Sequence, residues 1–209
     1  MDNKLYWSEK HKKYSTQDWI TKPTIFAKFA INYFQKEGNL LDLGAGQGQD
    51  SRFFTEKGYD VTATEYSETA IDLAKLIEPE LNIKYLVHDL NDKLHFDDET
   101  FDIVYSHLSI QFFNNETTER IFNEISRVLK NNGIIAIMVN SKTDPEVDLS
   151  KQISEDLYET PNGLIKRFYS EESLSKFTSG KFETIILDSN GATYKDEIKT
   201  LIRFIGRKL

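Results

Sequence analysis

Leu41-Asp42-Leu43-Gly44-Ala45-Gly46-Gln47-Gly48-Gln49-Asp50 is the stretch whose reading decides the fold. A short apolar run, 39–43, ends in closely spaced glycines, and a helix-like segment, 47–57, follows and closes on Gly58. Glycine suits such a turn because it tolerates positive φ and lets a ligand approach the backbone closely. The helix N-terminus behind the turn offers unpaired N–H groups and partial positive charge. The spacing excludes two familiar uses of a glycine loop. A dinucleotide fingerprint needs G-x-G-x-x-G, but Gly48 arrives one residue early and Gln49 fills the fingerprint position. A phosphate loop needs Lys-Ser or Lys-Thr after its last glycine, and Gln49-Asp50 stands there instead. Asp42 precedes the glycines, where a pyrophosphate gains nothing from another negative charge and a ligand carrying positive charge benefits.

The same alternation continues outward. Residues 59–64 are strand-like and end at Glu65; Ser67 is placed to cap a helix with Glu68 in its first turn and Ala70, Ile71, Ala74 and Leu76 on the buried side. Pro79 ends that helix. Residues 83–87 and 101–105 read as a third and a fourth strand. The segment 116–129 is an amphipathic helix with Ile121, Ile125, Val128 and Leu129 at helical spacing. Asn131-Asn132-Gly133 makes a turn into 134–139, which is apolar on both faces, as a central parallel strand covered by helices would be. Strands alternating with helices predict a three-layer α/β domain with a mostly parallel sheet.

The two ends differ. Residues 182–187 and 200–205 are strand-like runs joined by a loop containing Asn190-Gly191; with no helix between them they are expected to be antiparallel neighbours. The irregular segment 141–170, punctuated by Pro145, Pro161 and Asn162-Gly163, reads as an excursion over one edge of the sheet, on the substrate side. The first 37 residues carry Tyr6, Trp7, Tyr14 and Trp19 among charges. They form either a lid that excludes water or a helix docked on the sheet by its aromatics. The whole chain, 1–209, is expected to be one domain: helical segment 1–37, core 38–140, excursion 141–170 and closing strands 171–209.

Composition narrows the chemistry. Twenty-six Lys and Arg against 34 Asp and Glu give a net charge of −8, which argues against nonspecific nucleic-acid binding. The absence of cysteine removes disulfides, cysteine-ligated zinc, iron–sulfur clusters and thiol nucleophiles. His11, His88 and His95 lack metal-ligand spacing, so no metal is expected. The N-terminus is charged without a leader-like apolar core, and the run 134–139 is far shorter than the ~20 residues of a membrane helix. The expectation is a cytoplasmic monomer or homodimer with no membrane partner.

Two further acids fall at successive strand ends. Glu65 follows the loop by about twenty residues, where an acid accepts hydrogen bonds from ribose hydroxyls. Asp89, in His88-Asp89-Leu90, is placed to accept from an exocyclic amine. Ligands of open α/β sheets sit at the carboxyl ends of the strands, the edge these elements share.

With these residues the sequence resembles the class I S-adenosylmethionine-dependent methyltransferases. The matching elements are the loop 42–48, Glu65, Asp89-Leu90, the strand Phe101-Asp102-Ile103-Val104, and Leu129-Lys130-Asn131-Asn132-Gly133, which is similar to the turn before the family's fifth strand. The resemblance runs from Gly38 to the C-terminus. Within the class, the short chain and Phe168-Tyr169-Ser170-Glu171-Glu172 are similar to small-molecule methyltransferases of the tellurite-resistance type.

The resemblance implies a Rossmann-like methyltransferase fold, with a seven-stranded, mostly parallel sheet and an antiparallel last strand. It implies S-adenosylmethionine as cofactor, with Gly44, Ala45, Gly46 and Gly48 around its methionine and ribose and Asp42 acting through its charge. Glu65 would take the ribose hydroxyls, Asp89 and Leu90 the adenine, Tyr66 would pack on the base, and Ser106 would line the methionine portion. Tyr14 would reach the cofactor from the N-terminal segment. His107 would contact or deprotonate the acceptor, or merely form the pocket wall, and Arg167 and Tyr169 would reach over the pocket; Arg167 is equally a surface charge. Asp102 reads as structural or as an outward charge. The implied activity is methyl transfer to a small molecule. Methylation of protein or RNA, and cofactor binding without catalysis, remain the alternatives.

Overall fold

The computed structural model describes residues 3–192 and 200–209. The chain begins with α1 (Asn3–Tyr14) and α2 (Ile25–Ala30). It then alternates through β1 (Asn39–Leu43), α3 (Gln49–Glu56), β2 (Asp60–Glu65), α4 (Glu68–Ile77), β3 (Lys84–Val87), β4 (Phe101–His107), α5 (Asn115–Val128) and β5 (Leu129–Asn140). The excursion holds α6 (Glu146–Leu149), β6 (Lys151–Gln152), β7 (Leu157–Glu159) and β8 (Ile165–Arg167). The chain closes with α7 (Glu171–Thr178), β9 (Phe182–Gly191) and β10 (Leu201–Lys208).

Seven strands form one sheet in the order β3-β2-β1-β4-β5-β10-β9. β1 runs parallel to β2 and β4, and β10 runs antiparallel to both β5 and β9. The last strand is therefore the reversed one, inserted second from the edge. This is the Rossmann-like methyltransferase arrangement expected, including the antiparallel pairing of the final two strands.

The period of two in a strand explains why β5 is apolar on both faces. Ile135, Ile137 and Val139 join Leu41, Val104 and the α5 residues Ile121, Phe122 and Ile125 in one core. Ile134, Ala136 and Met138 join Leu40, Ile103, Tyr105, Phe26 and Phe54 in the other. Helices thus cover both faces of the sheet, and truncating a central side chain such as Ile137 to Ala would cost about 2–5 kcal/mol.

Ser67 caps α4 as its position requires, accepting the Ala70 N–H. Leu76 departs from expectation: it is 76% exposed, whereas Ala70, Ile71 and Ala74 are buried. It stands two residues beyond Ala74, about 200° around the helix, and so faces outward.

Asn131-Asn132-Gly133 is not a turn preceding a strand but an irregularity inside β5. Phe101 and Ile103 pair with Leu129 and Ile134, so an extra loop of chain sits opposite Asp102. Asn132 takes φ 64° there. Asp102 is structural: its Oδ2 accepts the Asn39 N–H at 2.9 Å and Lys130 Nζ at 2.8 Å.

Asn190-Gly191 is likewise the end of β9 rather than a connecting loop, with Gly191 opposite Leu201. The remainder of that connection, 193–199, lies outside the described residues. The irregular segment contains a three-stranded antiparallel sheet, β6-β7-β8. Its departure and return are stapled to the end of β5: the Tyr169 N–H donates to Asn140 O at 2.8 Å and the Lys142 N–H to Tyr169 O at 2.9 Å. The small sheet therefore stands beside the carboxyl edge of the large one.

Candidate functional site

The turn after β1 is held from the neighbouring strand. The N–H groups of Gly44 and Ala45 both donate to Thr64 O, at 2.8 and 3.0 Å. Gly44 and Gly46 have φ of 72° and 56°, a region costly to other residues. A methyl group on Gly44 would overlap Ser109, and one on Gly46 would lie 3.1 Å from His11 Cε1.

Glu65, last in β2, accepts the Gly46 N–H through Oε2 at 3.0 Å and the Ser67 N–H through Oε1 at 2.9 Å. Burial pushes its carboxyl above the ordinary range, opposed by hydrogen bonds from the Ser67, Gly46 and Tyr66 backbone. Asp42 is buried under the turn and accepts Ser51 Oγ at 2.6 Å. Burial, helped by the neighbouring Asp50 and Glu65, pushes Asp42 up to about 8 against the Ser51 hydrogen bond.

A cavity of about 930 Å³ runs along this edge of the sheet. Asp42, Gly44, Ala45, Gly46, Glu65 and Tyr66 line it from β1 and β2, and Asp89 and Leu90 from the end of β3. Asp89 also orders its own turn, accepting the Asn91 N–H through Oδ1 at 2.8 Å. His107, last in β4, lines the cavity farther along. Its ring is half-buried and stacked on Phe26 at 6.5 Å, and its buried Nε2 has no partner. Burial holds the His107 imidazole below its usual pKa, partly offset by the Asp50 charge, so the ring is neutral at neutral pH.

α1 forms the roof. Trp7, His11 and Tyr14, spaced i, i+4 and i+7, all line the cavity. Trp7 meets Phe112, beyond β4, edge to face at 5.1 Å. Gln47 Nε2 donates to His11 O at 2.7 Å, pinning the helix to the glycine turn. Burial pushes the His11 imidazole down to about 4, and its Nδ1 is left without a partner.

Ten of the fourteen residues picked from sequence therefore share one cavity. Four do not line it. Gly48 caps α3 at φ 71°, with Tyr85 where a side chain would go. Ser106 is fully buried and donates to Leu43 O at 2.9 Å; Ser109, beside it, is the serine that lines the cavity. Arg167 and Tyr169 do not reach over the pocket. Arg167 is 2% exposed, gives Nη2 to Asn115 Oδ1 at 2.5 Å and lies over the rings of Tyr169 and Phe177. Tyr169 is wholly buried in the core. Lys166 lines the cavity instead, with Gln111 and Phe112 from beyond β4. His11 had a readable signal, the i, i+4, i+7 stripe with Trp7 and Tyr14; Gln111 and Phe112 follow a strand end and had none.

Residues 41–137 match the model of the methyltransferase domain family. That match takes in just under half of the chain, and the relatives and solved structures it resembles are S-adenosylmethionine-dependent methyltransferases. It is 27% identical over 165 residues to a probable S-adenosyl-L-methionine-dependent methyltransferase, TehB, of Haemophilus influenzae, covering 78% of this chain and 56% of that protein. The chain thus spans little more than half the length of that curated relative. A SAM-dependent methyltransferase from Methanosarcina mazei shares the fold with TM-score 0.74 and 24% identity, covering 87% of this chain and 97% of that one. So does the 1,6-didemethyltoxoflavin-N1-methyltransferase of Burkholderia thailandensis, with TM-score 0.73 and 15% identity over 98% of this chain and 84% of that one.

The residues present fit S-adenosylmethionine, on which those relatives depend. Gly46 leaves a cradle that a side chain would fill, and His11 Nδ1 and Gln47 Oε1 are buried polar atoms without partners beside it. Among the described residues, no cluster of three or more His, Asp or Glu is arranged to hold a metal, and no helix is long and apolar enough to cross a membrane.

Proposed function

We propose that this protein is a methyltransferase that moves a methyl group from S-adenosylmethionine to a small-molecule acceptor inside the roofed cavity. The observation that supports the reading is one cavity lined both by the Glu65-tied glycine turn and, at the end of β4, by His107, whose buried Nε2 has no partner. S-adenosylmethionine supplies a methyl group already activated by a sulfonium centre.

The protein's part is to hold the reactants in line and keep water out. Glu65 keeps lone pairs for the ribose hydroxyls while it fixes the turn. Asp89 and Leu90 take the adenine end, and Tyr66 packs on the base. Gly44, Ala45 and Gly46 let the methionine end lie against the backbone under His11 and Tyr14. Trp7 and Phe112 close the roof, so α1 serves as the lid. Neutral His107 can hold the proton of an acceptor at Nε2. A small acceptor suits a roofed site, and the Burkholderia relative acts on such a molecule. A cytoplasmic location and a monomeric or homodimeric state belong to the same proposal, resting on the acidic, cysteine-free composition.

Calorimetry with S-adenosylmethionine and S-adenosylhomocysteine tests the first half. No heat from folded protein would sink the reading. Labelled methyl transfer in a cell extract tests the second: label in the small-molecule fraction supports it, and label confined to protein or RNA overturns the acceptor class. His107→Ala is expected to keep cofactor affinity while lowering turnover.

A further inference from the structure

The cavity beyond the glycine turn is built from the ends of β4 and β5 and from the small sheet, and its charge is one-sided. Among the described residues, its cationic lining is Lys166, whose Nζ lies 2.6 Å from Glu146 Oε2 and 4.8 Å from the Phe168 ring centroid. Arg167, the next residue, turns away into the core. At the N-terminus of α5, where an anion could otherwise settle, the cap already takes one N–H: Asn114 Oδ1 accepts from Thr117 at 2.9 Å. Acids are plentiful. Asp42, Asp50, Glu65 and Asp89 all line the cavity, and Asp50 already accepts from Thr24 N, Thr24 Oγ1 and the Tyr105 hydroxyl. An anionic acceptor would give up its hydration here without gaining an unpaired cation from the protein.

The rest of this half carries no charge: neutral polar groups such as Gln111 and Asn140 line its floor, and its open flank is apolar. Ile153, Leu157 and Ile165, from the small sheet, line the cavity, yet Ile153 stays 51% exposed and Ile165 39% exposed. This flank is not covered by the protein's own described residues. Set against it is His107 Nε2, a buried polar atom with no partner. With its proton on Nδ1, a neutral imidazole accepts a hydrogen bond at Nε2. A protonated amine would suit the acids but offers no lone pair to a methyl group. A hydroxyl offers both a proton for His107 and a lone pair for the methyl.

We infer that the acceptor is an uncharged, largely apolar molecule of the phenol or enol class, its hydrocarbon part on Ile153, Leu157 and Ile165 and its hydroxyl donating to His107 Nε2. This rests on the methyl-transfer reading above. It excludes carboxylate and oxyanion acceptors.

The test titrates the full chain, saturated with S-adenosylhomocysteine, by calorimetry with 4-butylphenol, 4-butylanisole, 4-butylbenzoate and 4-methylphenol. The butylphenol should bind about tenfold tighter than the anisole, whose oxygen carries a methyl group in place of the proton and cannot donate. The benzoate should not bind measurably, and the methylphenol should bind more weakly than its butyl homologue. Ile165→Ser, at a half-exposed site, should shrink the chain-length effect with S-adenosylhomocysteine affinity unchanged. His107→Phe should bring phenol and anisole to parity. Benzoate binding as tightly as phenol in the wild type would overturn the inference, as would indifference to chain length. Failure of every probe on protein that binds S-adenosylhomocysteine overturns it and leaves methyl transfer standing; failure to bind S-adenosylhomocysteine removes both.

Discussion

Glu65 ties the end of β2 to the turn after β1, its two carboxylate oxygens accepting the N–H groups of Gly46 and Ser67 at 3.0 and 2.9 Å. One buried side chain therefore sets both the glycine turn and the entry to α4. The same carboxylate faces the cavity, so cofactor binding and local order share a residue.

Glu65→Ala should weaken S-adenosylmethionine binding by about 1–3 kcal/mol, through lost charge-assisted hydrogen bonds and an unpaired Gly46 N–H. The melting temperature should fall as well. Glu65→Gln should recover part of the stability and less of the affinity, because an amide keeps one acceptor oxygen but places donors against a backbone N–H. Calorimetry and thermal melts measure both, and wild-type affinity in the alanine variant would remove the ribose role.

Gly46→Val should abolish cofactor binding. Its φ of 56° is costly for a β-branched residue, and the added Cβ would meet His11 Cε1 at 3.1 Å. His11→Ala relieves the contact but not the backbone strain, so the double variant should remain unable to bind. Calorimetric recovery of the double variant would mean that crowding by α1, rather than the left-handed turn, was the obstacle.

The sheet was legible in the sequence because period-two and period-3.6 patterns report burial directly, as in 134–139 and 116–129. That the glycine turn, Glu65 and Asp89 share one cavity was legible because loops at the carboxyl ends of neighbouring parallel strands meet along one edge. The misplaced residues differ in cause. Leu76 is out of phase with the buried face of its helix, whereas Ser106 and Arg167 have side chains whose direction is decided by tertiary packing. Arg167 is an example: its charge suggests the surface, but Asn115 Oδ1 and the faces of Tyr169 and Phe177 hold it inside. The small sheet was hidden because its strands are two or three residues long, too short for any alternation to show.

Asp42 should make cofactor affinity depend on pH. Its folded-state pKa of about 8 lies above its ordinary 3.8, because burial disfavours the charge. Between those values the folded protein holds a proton that the unfolded chain has lost, so this group's contribution to stability falls as pH rises. A cationic ligand favours the ionised form, so binding at neutral pH should expel a proton. Affinity should climb by up to about tenfold per pH unit below 8 and then level off. Calorimetry in buffers of different ionisation enthalpy counts the proton directly. Asp42→Asn should abolish both the Asp42-linked slope and the proton release, and persistence of either in that variant would move the effect to another group.

Arg167→Leu should separate structure from chemistry. The guanidinium is bonded to Asn115 Oδ1 at 2.5 Å, and the residue is 2% exposed. Loss of the buried guanidinium's hydrogen bond costs about 1.5–3 kcal/mol, because the exposed Asn115 amide it leaves behind can turn to water. The variant should melt earlier while binding S-adenosylmethionine and the 4-butylphenol probe as the wild type does at a temperature where both are folded. A variant of normal stability with selectively weakened probe binding would return Arg167 to the pocket. Asn115→Ala supplies the second reading: it removes the partner and not the charge, so it should reproduce the loss of stability if Arg167 works by anchoring β8 to the start of α5.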